Sequence, residues 1–211
     1  MVSRGSDLAL REELLLGVSH VSLTDIAATG IRRGEACAIR WSDIAWEEDT
    51  IRVDQAVVTA KGSAVVKSPK TRASIRTLAL DDGTVQTLRD LQLAQKLLAD
   101  DSGVALGLAG FVFSAEPGGG TPPYPDTMSR AFMRARRDAG VDSDVHLHSL
   151  RHFQATTLDA VIPERQKQAR LGWSTVQMAR HCTDAVAAED RRAAEHLGRV
   201  LDGDPSPSPG D

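Results

Sequence analysis

Apolar positions recur with helical spacing at both ends of the chain and with strand-like spacing in the middle. Leu8 to Leu16 and Ser22 to Ala28 carry helical patterns, and Gly30 fits the residue just past a helix end, so the next helix is expected to open near Arg33. Residues 50–80 change character. Ile51, Val53, Val57 and Val58, then Ala64-Val65-Val66, then Ile75, Leu78 and Leu80 form β-rich runs. Lys61-Gly62-Ser63 and Ser68-Pro69-Lys70 divide them, which predicts a three-stranded antiparallel meander. Asp82 is placed to cap a helix whose Val85, Leu88, Leu91, Ala94 and Leu98 share a face. The Phe111-Val112-Phe113 run and the Gly/Pro-rich loop 117–123 interrupt the helical pattern. Further helices are expected at about 126–139, 148–160, 164–171, 175–181 and 187–200. The fold class is therefore α+β, mainly α-helical with a small three-stranded antiparallel sheet. Residues 203–211 hold no core-forming side chain and are expected to be a disordered tail.

Composition narrows the setting. A chain of 211 residues that is 41% hydrophobic can bury one sizeable core. No apolar run approaches the roughly 18 residues of a membrane span, and no apolar segment follows the N-terminal charge as in a signal peptide, so a cytoplasmic protein with no membrane partner is expected. Cys37 and Cys182 stand far apart, outside any metal-ligand spacing, and are expected as reduced thiols with no metal or cofactor nearby.

The net charge of −4 is unfavourable for a nucleic-acid partner, since affinity for phosphates comes largely from Lys and Arg displacing counterions. Charge is segregated, however. Residues 61–80 carry Lys61, Lys67, Lys70, Arg72 and Arg76 with no acid, and Arg130, Arg134, Arg136 and Arg137 face only Asp138, while acids gather at 47–49 and 100–101. One basic face on an acidic body reconciles the two; a solvated surface is the plainer alternative.

Four stretches carry groups suited to phosphodiester chemistry, which needs cations around the non-bridging oxygens, a proton donor for the leaving oxygen and a nucleophile. Thr29-Gly30-Ile31-Arg32-Arg33-Gly34-Glu35 puts an arginine at a helix start, where its planar fork suits bidentate phosphate contact; alone, the stretch reads more readily as a surface Arg32 with Glu35 a first-turn acid favouring the helix dipole. Lys70 sits in the turn between the second and third predicted strands, where a lysine is usually only solvated. His146-Leu147-His148-Ser149-Leu150-Arg151-His152 sets His148 and Arg151 three apart, on one helix face, with Leu150 and Phe153 toward the core; the alternative is a helix start with satisfied core histidines. The fourth stretch is Leu171-Gly172-Trp173 followed, nine residues after the tryptophan, by Cys182.

In order and spacing these boxes resemble the tyrosine recombinase (phage integrase) family over roughly residues 24–200. Its pattern is a Gly-Leu-Arg-x-Gly-Glu box, a β-hairpin lysine, a His-x-Leu-Arg-His box, a Leu-Gly-His or Gly-Trp box and a tyrosine about nine residues on. The resemblance implies double-stranded DNA as partner, with Arg32 and Arg151 clamping the scissile phosphate and Lys70 as general acid to the leaving 5′ oxygen. It implies that His148 serves proton transfer and phosphate contact, and that Trp173 donates its indole N–H to a phosphate oxygen. Glu35 and His152 are expected to support the arginines, and Arg33, Arg72, Arg76, Arg130 and Arg134 to contact DNA. No metal or cofactor is implied, and protomers are expected to associate on DNA by exchanging the C-terminal helix. Residues 1–202 correspond to the catalytic domain, with the N-terminal core-binding domain expected to be absent.

The pattern breaks at the nucleophile. Cys182 occupies the tyrosine position, and Tyr124, the chain's single tyrosine, lies in a Pro-rich loop. Arg180 and His181 could lower a thiol's pKa, but cysteine is shorter than tyrosine, phosphorus is a hard centre, and misplacement by about 1 Å costs about a hundredfold. A small buried residue is the plainer reading of Cys182. The stretch Leu158-Asp159-Ala160-Val161-Ile162-Pro163 also lacks the glycine usual at that helix–helix turn. Three classes follow: a recombinase catalytic domain with impaired cleavage, a non-cleaving DNA-binding or interaction module on the same scaffold, and an unrelated helical interaction domain. The ordered boxes favour the first two.

Overall fold

The computed structural model describes residues 29–68, 74–172 and 185–201. Six α-helices are described: α1 (Arg33–Ala36), α2 (Asp82–Asp101), α3 (Pro125–Asp138), α4 (Leu147–Thr157), α5 (Glu164–Leu171) and α6 (Ala185–Leu201). Five strands lie between α1 and α2: β1 (Ile44–Ala45), β2 (Thr50–Val53), β3 (Ala56–Ala60), β4 (Ser63–Lys67) and β5 (Arg76–Ala79). Single 3-10 turns cover Trp41–Asp43 and Leu158–Ala160. The mainly helical α+β class is thus what the chain adopts. The helices expected at 8–16, 22–28 and 175–181, and the tail, lie outside the described residues.

The expected meander is instead two sheets. β2 pairs antiparallel with β1 and, skipping two strands, with β5, in the register Thr50↔Ala79 to Val53↔Arg76. β3 and β4 form a separate hairpin, Ala56↔Lys67 to Ala60↔Ser63. Burial explains the split: β2 and β5 alternate inward residues that reach the core, whereas no residue of β4 is fully buried, so it cannot take a central place. The run Ile51 to Val58 is two strands, and Ile75 is 44% exposed and outside β5. Lys61 and Gly62, both at positive φ, close the hairpin.

The core gathers Ile31, Ile39 and Trp41 with the inward sides of β2 and β5, the α2 stripe Val85, Leu88 and Leu91, and Val112 and Phe113. Trp41 donates Nε1–H to Gln95 Oε1 (3.0 Å), and Gln95 Nε2 donates to the Val112 carbonyl (2.6 Å), so the two buried polar groups satisfy each other and tie in the 111–113 run. The α2 cap is Asp81 rather than Asp82: its carboxylate accepts from the Thr84 amide at 3.0 Å and the Thr84 hydroxyl at 2.6 Å. Helix α6 packs on this same body. Ala193 and Leu197 meet Leu158 and Ile162, and the buried Asp190 pairs with Arg170 of α5 while accepting the Ala79 amide of β5. Among the described residues no helix is long and apolar enough to cross a membrane.

Gly30 sets how closely α1 approaches α4 and α5. Its φ is +65°, and a Cβ there would fall 1.7 Å from Gln154 Oε1 and 2.7 Å from Leu171 Cδ2. A left-handed alanine costs about 1–2 kcal/mol, and overpacking adds about 1–3 kcal/mol. Gly30→Ala is therefore expected to lower unfolding free energy by about 2–5 kcal/mol in a denaturant titration; a loss under about 0.5 kcal/mol, the scale of an ordinary surface change, would contradict the packing described.

Candidate functional site

The site begins with a helix start. Arg32 has extended backbone and precedes α1, and Glu35, in the first turn, reaches back so that its Oε2 accepts the Arg32 amide at 2.7 Å. The same carboxylate accepts Arg32 Nη1 on Oε1 at 2.8 Å, and from the other side Arg76 donates Nη1 to Oε1 (3.1 Å) and Nη2 to Oε2 (2.8 Å). Glu35 thus has four donors around it. Burial pushes its pKa up, but hydrogen bonding and charge from Arg76, then from Arg32, outweigh this and hold it below the usual carboxylate value.

The second ingredient is the end of α5. Three successive carbonyls there each accept from a different arginine: Arg170 O from Arg76 Nε at 2.8 Å, Leu171 O from Arg151 Nη2, and Gly172 O from Arg32 Nη2 at 2.7 Å. Arg151 also donates Nη1 to the Gly30 carbonyl. A helix C-terminus leaves its last carbonyls unpaired and carries partial negative charge, so it suits a collection of cations. Gly172, at φ +61°, turns the chain away; a Cβ there would lie 3.0 Å from Arg76 Nη1 and 3.3 Å from Arg32 Nη1.

Among the described residues, the guanidiniums of Arg32, Arg76 and Arg151 gather around the Glu35 carboxylate. Burial first, then the charges of Arg32 and Arg76, push the Arg151 pKa down to about 10, against a smaller opposite pull from Glu35. Arg151 remains charged at neutral pH, in a place that an added anion would stabilise. The side chain of Arg32 is 42% exposed, whereas Arg151 is only 4% exposed and Arg76 9%. Arg32 therefore carries the charge outward, into a cavity of about 480 Å³ that Arg33, His148 and Arg151 also line, with Phe132 and Met133 on its apolar side.

Of the residues singled out in the sequence, Arg32, Arg33, His148 and Arg151 meet at this cavity. His148 is exposed and meets the ring of His152 edge-on, at 4.6 Å between centroids. Arg33 Nη1 donates to Ser129 Oγ at 2.6 Å, joining α1 to α3. Arg130 and Arg134 are exposed on α3 away from this cavity, Arg134 beside a second hollow of about 200 Å³. Arg76 is not on the surface expected of it: it points inward, paired with Glu35. Phe153, expected in the core, is 43% exposed, while Leu150 packs against the core. Lys70, Arg72, Trp173 and Cys182 lie outside the described residues. Among the described residues no group of three His, Cys, Asp or Glu gathers as for a metal ion.

Sequence reading missed the inward role of Arg76 and the part played by Arg170. The signal for Arg76 was in the alternation of β5: Arg76 is in phase with Leu78 and Leu80, each only 1% exposed. Nothing in the sequence pattern separates Arg170 from a solvated helix residue.

Relatives share this architecture. The chain is 27% identical over 187 residues to a tyrosine recombinase XerC-like protein of Caldanaerobacter subterraneus, covering 82% of this chain and 47% of that one. It is 27% identical over 175 residues to a putative prophage phiRv2 integrase of Mycobacterium tuberculosis, covering 82% and 44%. The chain thus spans about half the length of these curated relatives. Among solved structures, the Tn1549 transposon integrase in complex with circular intermediate DNA superposes with TM-score 0.62 at 18% identity, over 89% of this chain and 64% of that one. The XerA recombinase superposes with TM-score 0.54 at 20% identity, over 90% and 62%. The sequence model of the phage integrase family matches residues 16–189, most of the chain. With those boxes, this fold and that match in agreement, the chain belongs to the phage integrase family.

Proposed function

We propose that this chain binds double-stranded DNA and holds one phosphodiester at Arg32 and Arg151, on the scaffold of a site-specific recombination and DNA integration domain. The observation that carries the reading is the gathering of Arg32, Arg76 and Arg151 at the end of α5, opened to solvent through Arg32. A phosphodiester is an anion suited to such a cluster, and the guanidinium fork matches its two non-bridging oxygens. His148, on the same cavity wall, is within the neighbourhood of that phosphate for contact or proton transfer.

Arg33 on the cavity rim, Arg130 and Arg134 on α3, and Arg72 in the basic stretch after β4 are the cations assigned to flanking DNA phosphates, which position the duplex without reading its sequence. Strand cleavage requires in addition Lys70 as the acid for the leaving 5′ oxygen, Trp173 as an indole donor and a nucleophile at position 182. With Cys182 there, cleavage is impaired; a DNA-binding module that does not cut is the second reading, favoured by the same residue. Helix exchange between protomers would use α6, and would have to carry the Arg170–Asp190 pair across the interface.

Two experiments test these statements. Inorganic phosphate should raise the melting temperature of the wild-type chain beyond a chloride control of equal ionic strength, by about 2.7 kcal/mol of added stability at a hundred times its Kd. Arg32→Gln should abolish the excess, and an equal rise in both proteins would place the anion elsewhere. With a nicked suicide DNA substrate, the wild type should form no covalent adduct. Cys182→Tyr should restore some: the phenol gives its proton to His148 as its oxygen attacks phosphorus, the P–O5′ bond breaks, and the 5′ oxygen takes a proton from Lys70. A wild-type adduct lost in Cys182→Ser would reveal a working thiol and overturn the impairment.

A further inference from the structure

We propose that Arg76 is a positioning residue: by occupying the inner side of Glu35 and the Arg170 carbonyl together, it fixes where Arg32 stands in the phosphate site. The relevance to phosphate rests on the function proposed above; the positioning itself rests on geometry. Glu35 has two oxygens, and Arg76 donates to both, at 3.1 and 2.8 Å, while its Nε donates to Arg170 O at 2.8 Å. All three bonds come from one rigid planar group. They leave the carboxylate one orientation, and in that orientation Oε1 takes Arg32 Nη1 and Oε2 takes the Arg32 amide. Arg32 Nη2 then falls on Gly172 O, two residues after the carbonyl that Arg76 holds. Arg76 and Arg32 are thus bolted to the same carboxylate and the same helix end, with only Arg32 reaching solvent.

Charge alone does not explain this arrangement. A lysine could neutralise Glu35, but its single ammonium cannot span both oxygens and the Arg170 carbonyl in fixed geometry. Arg76→Lys therefore separates a charge-balancing role from a positioning one. Arginine Nε–Hε signals of the whole chain, recorded by NMR with and without inorganic phosphate, provide the readout.

In the wild type, the Arg76 Nε–H should exchange slowly with water and stay in place when phosphate is added, while the Arg32 signal moves. In Arg76→Lys, with native secondary structure checked by circular dichroism, the Arg32 signal should shift before any phosphate is added, and phosphate should bind roughly tenfold more weakly, the scale of one lost charge-assisted hydrogen bond. An unchanged Arg32 signal and unchanged affinity in Arg76→Lys would overturn the proposal. So would a wild-type Arg76 Nε–H that exchanges freely or moves with phosphate as far as Arg32 does, a measurement that stands even if the variant does not fold. If phosphate moves no arginine of the wild type, the phosphate site fails, and the shift of Arg32 in Arg76→Lys still decides the positioning role.

Discussion

A buried carboxylate shared by two arginines is the constraint from which the rest of this structure can be read. Glu35 is held on one side by Arg76 of β5 and on the other by Arg32, the residue that opens α1. A buried charge of this kind is costly unless every lone pair is matched, and here the four donors match them. Removing either arginine leaves part of that carboxylate without its donors. The pair therefore locks the sheet, through β5, to α1 and, through the Arg170 carbonyl, to α5.

The end of α5 completes the arrangement. Three arginines from β5, α4 and the start of α1 converge on three successive carbonyls, and Gly172 leaves room for them. A second ion pair, Arg170 with Asp190, anchors α6 to the same helix. Scaffold and site are hence the same set of interactions. The cations are preorganised before any ligand arrives, which is what stabilising a developing charge on a phosphate requires. The protein's acidic net charge does not oppose this, because the arginines are gathered locally at the cavity.

Much of this was legible in the sequence, and the failures have physical causes. Arg32 and the pair His148/Arg151 were found because glycine turns and helical spacing are local signals, and their order along the chain identified the family. The sheet was misread because strand runs show that pairing occurs but not with which partner: β2 bypasses a hairpin whose second strand has no fully buried residue. Arg76 looked like a surface cation because charge was counted by segment; its phase with Leu78 and Leu80 was the better guide. The capping aspartate was displaced by one residue, since Asp81 and Asp82 are equal by composition and only the backbone geometry separates them.

The central proposal is that a compact cationic site on an acidic body binds a DNA backbone through phosphate. The direct measurement is duplex DNA affinity as a function of salt, for the wild type and for Arg32→Gln. The wild type should bind weakly, with little preference among sequences, and log K should fall linearly with log salt; Arg32→Gln should reduce the magnitude of the slope by about one phosphate contact, roughly 0.9. Salt-independent binding, no binding at low salt, or an unaltered slope in Arg32→Gln would contradict it.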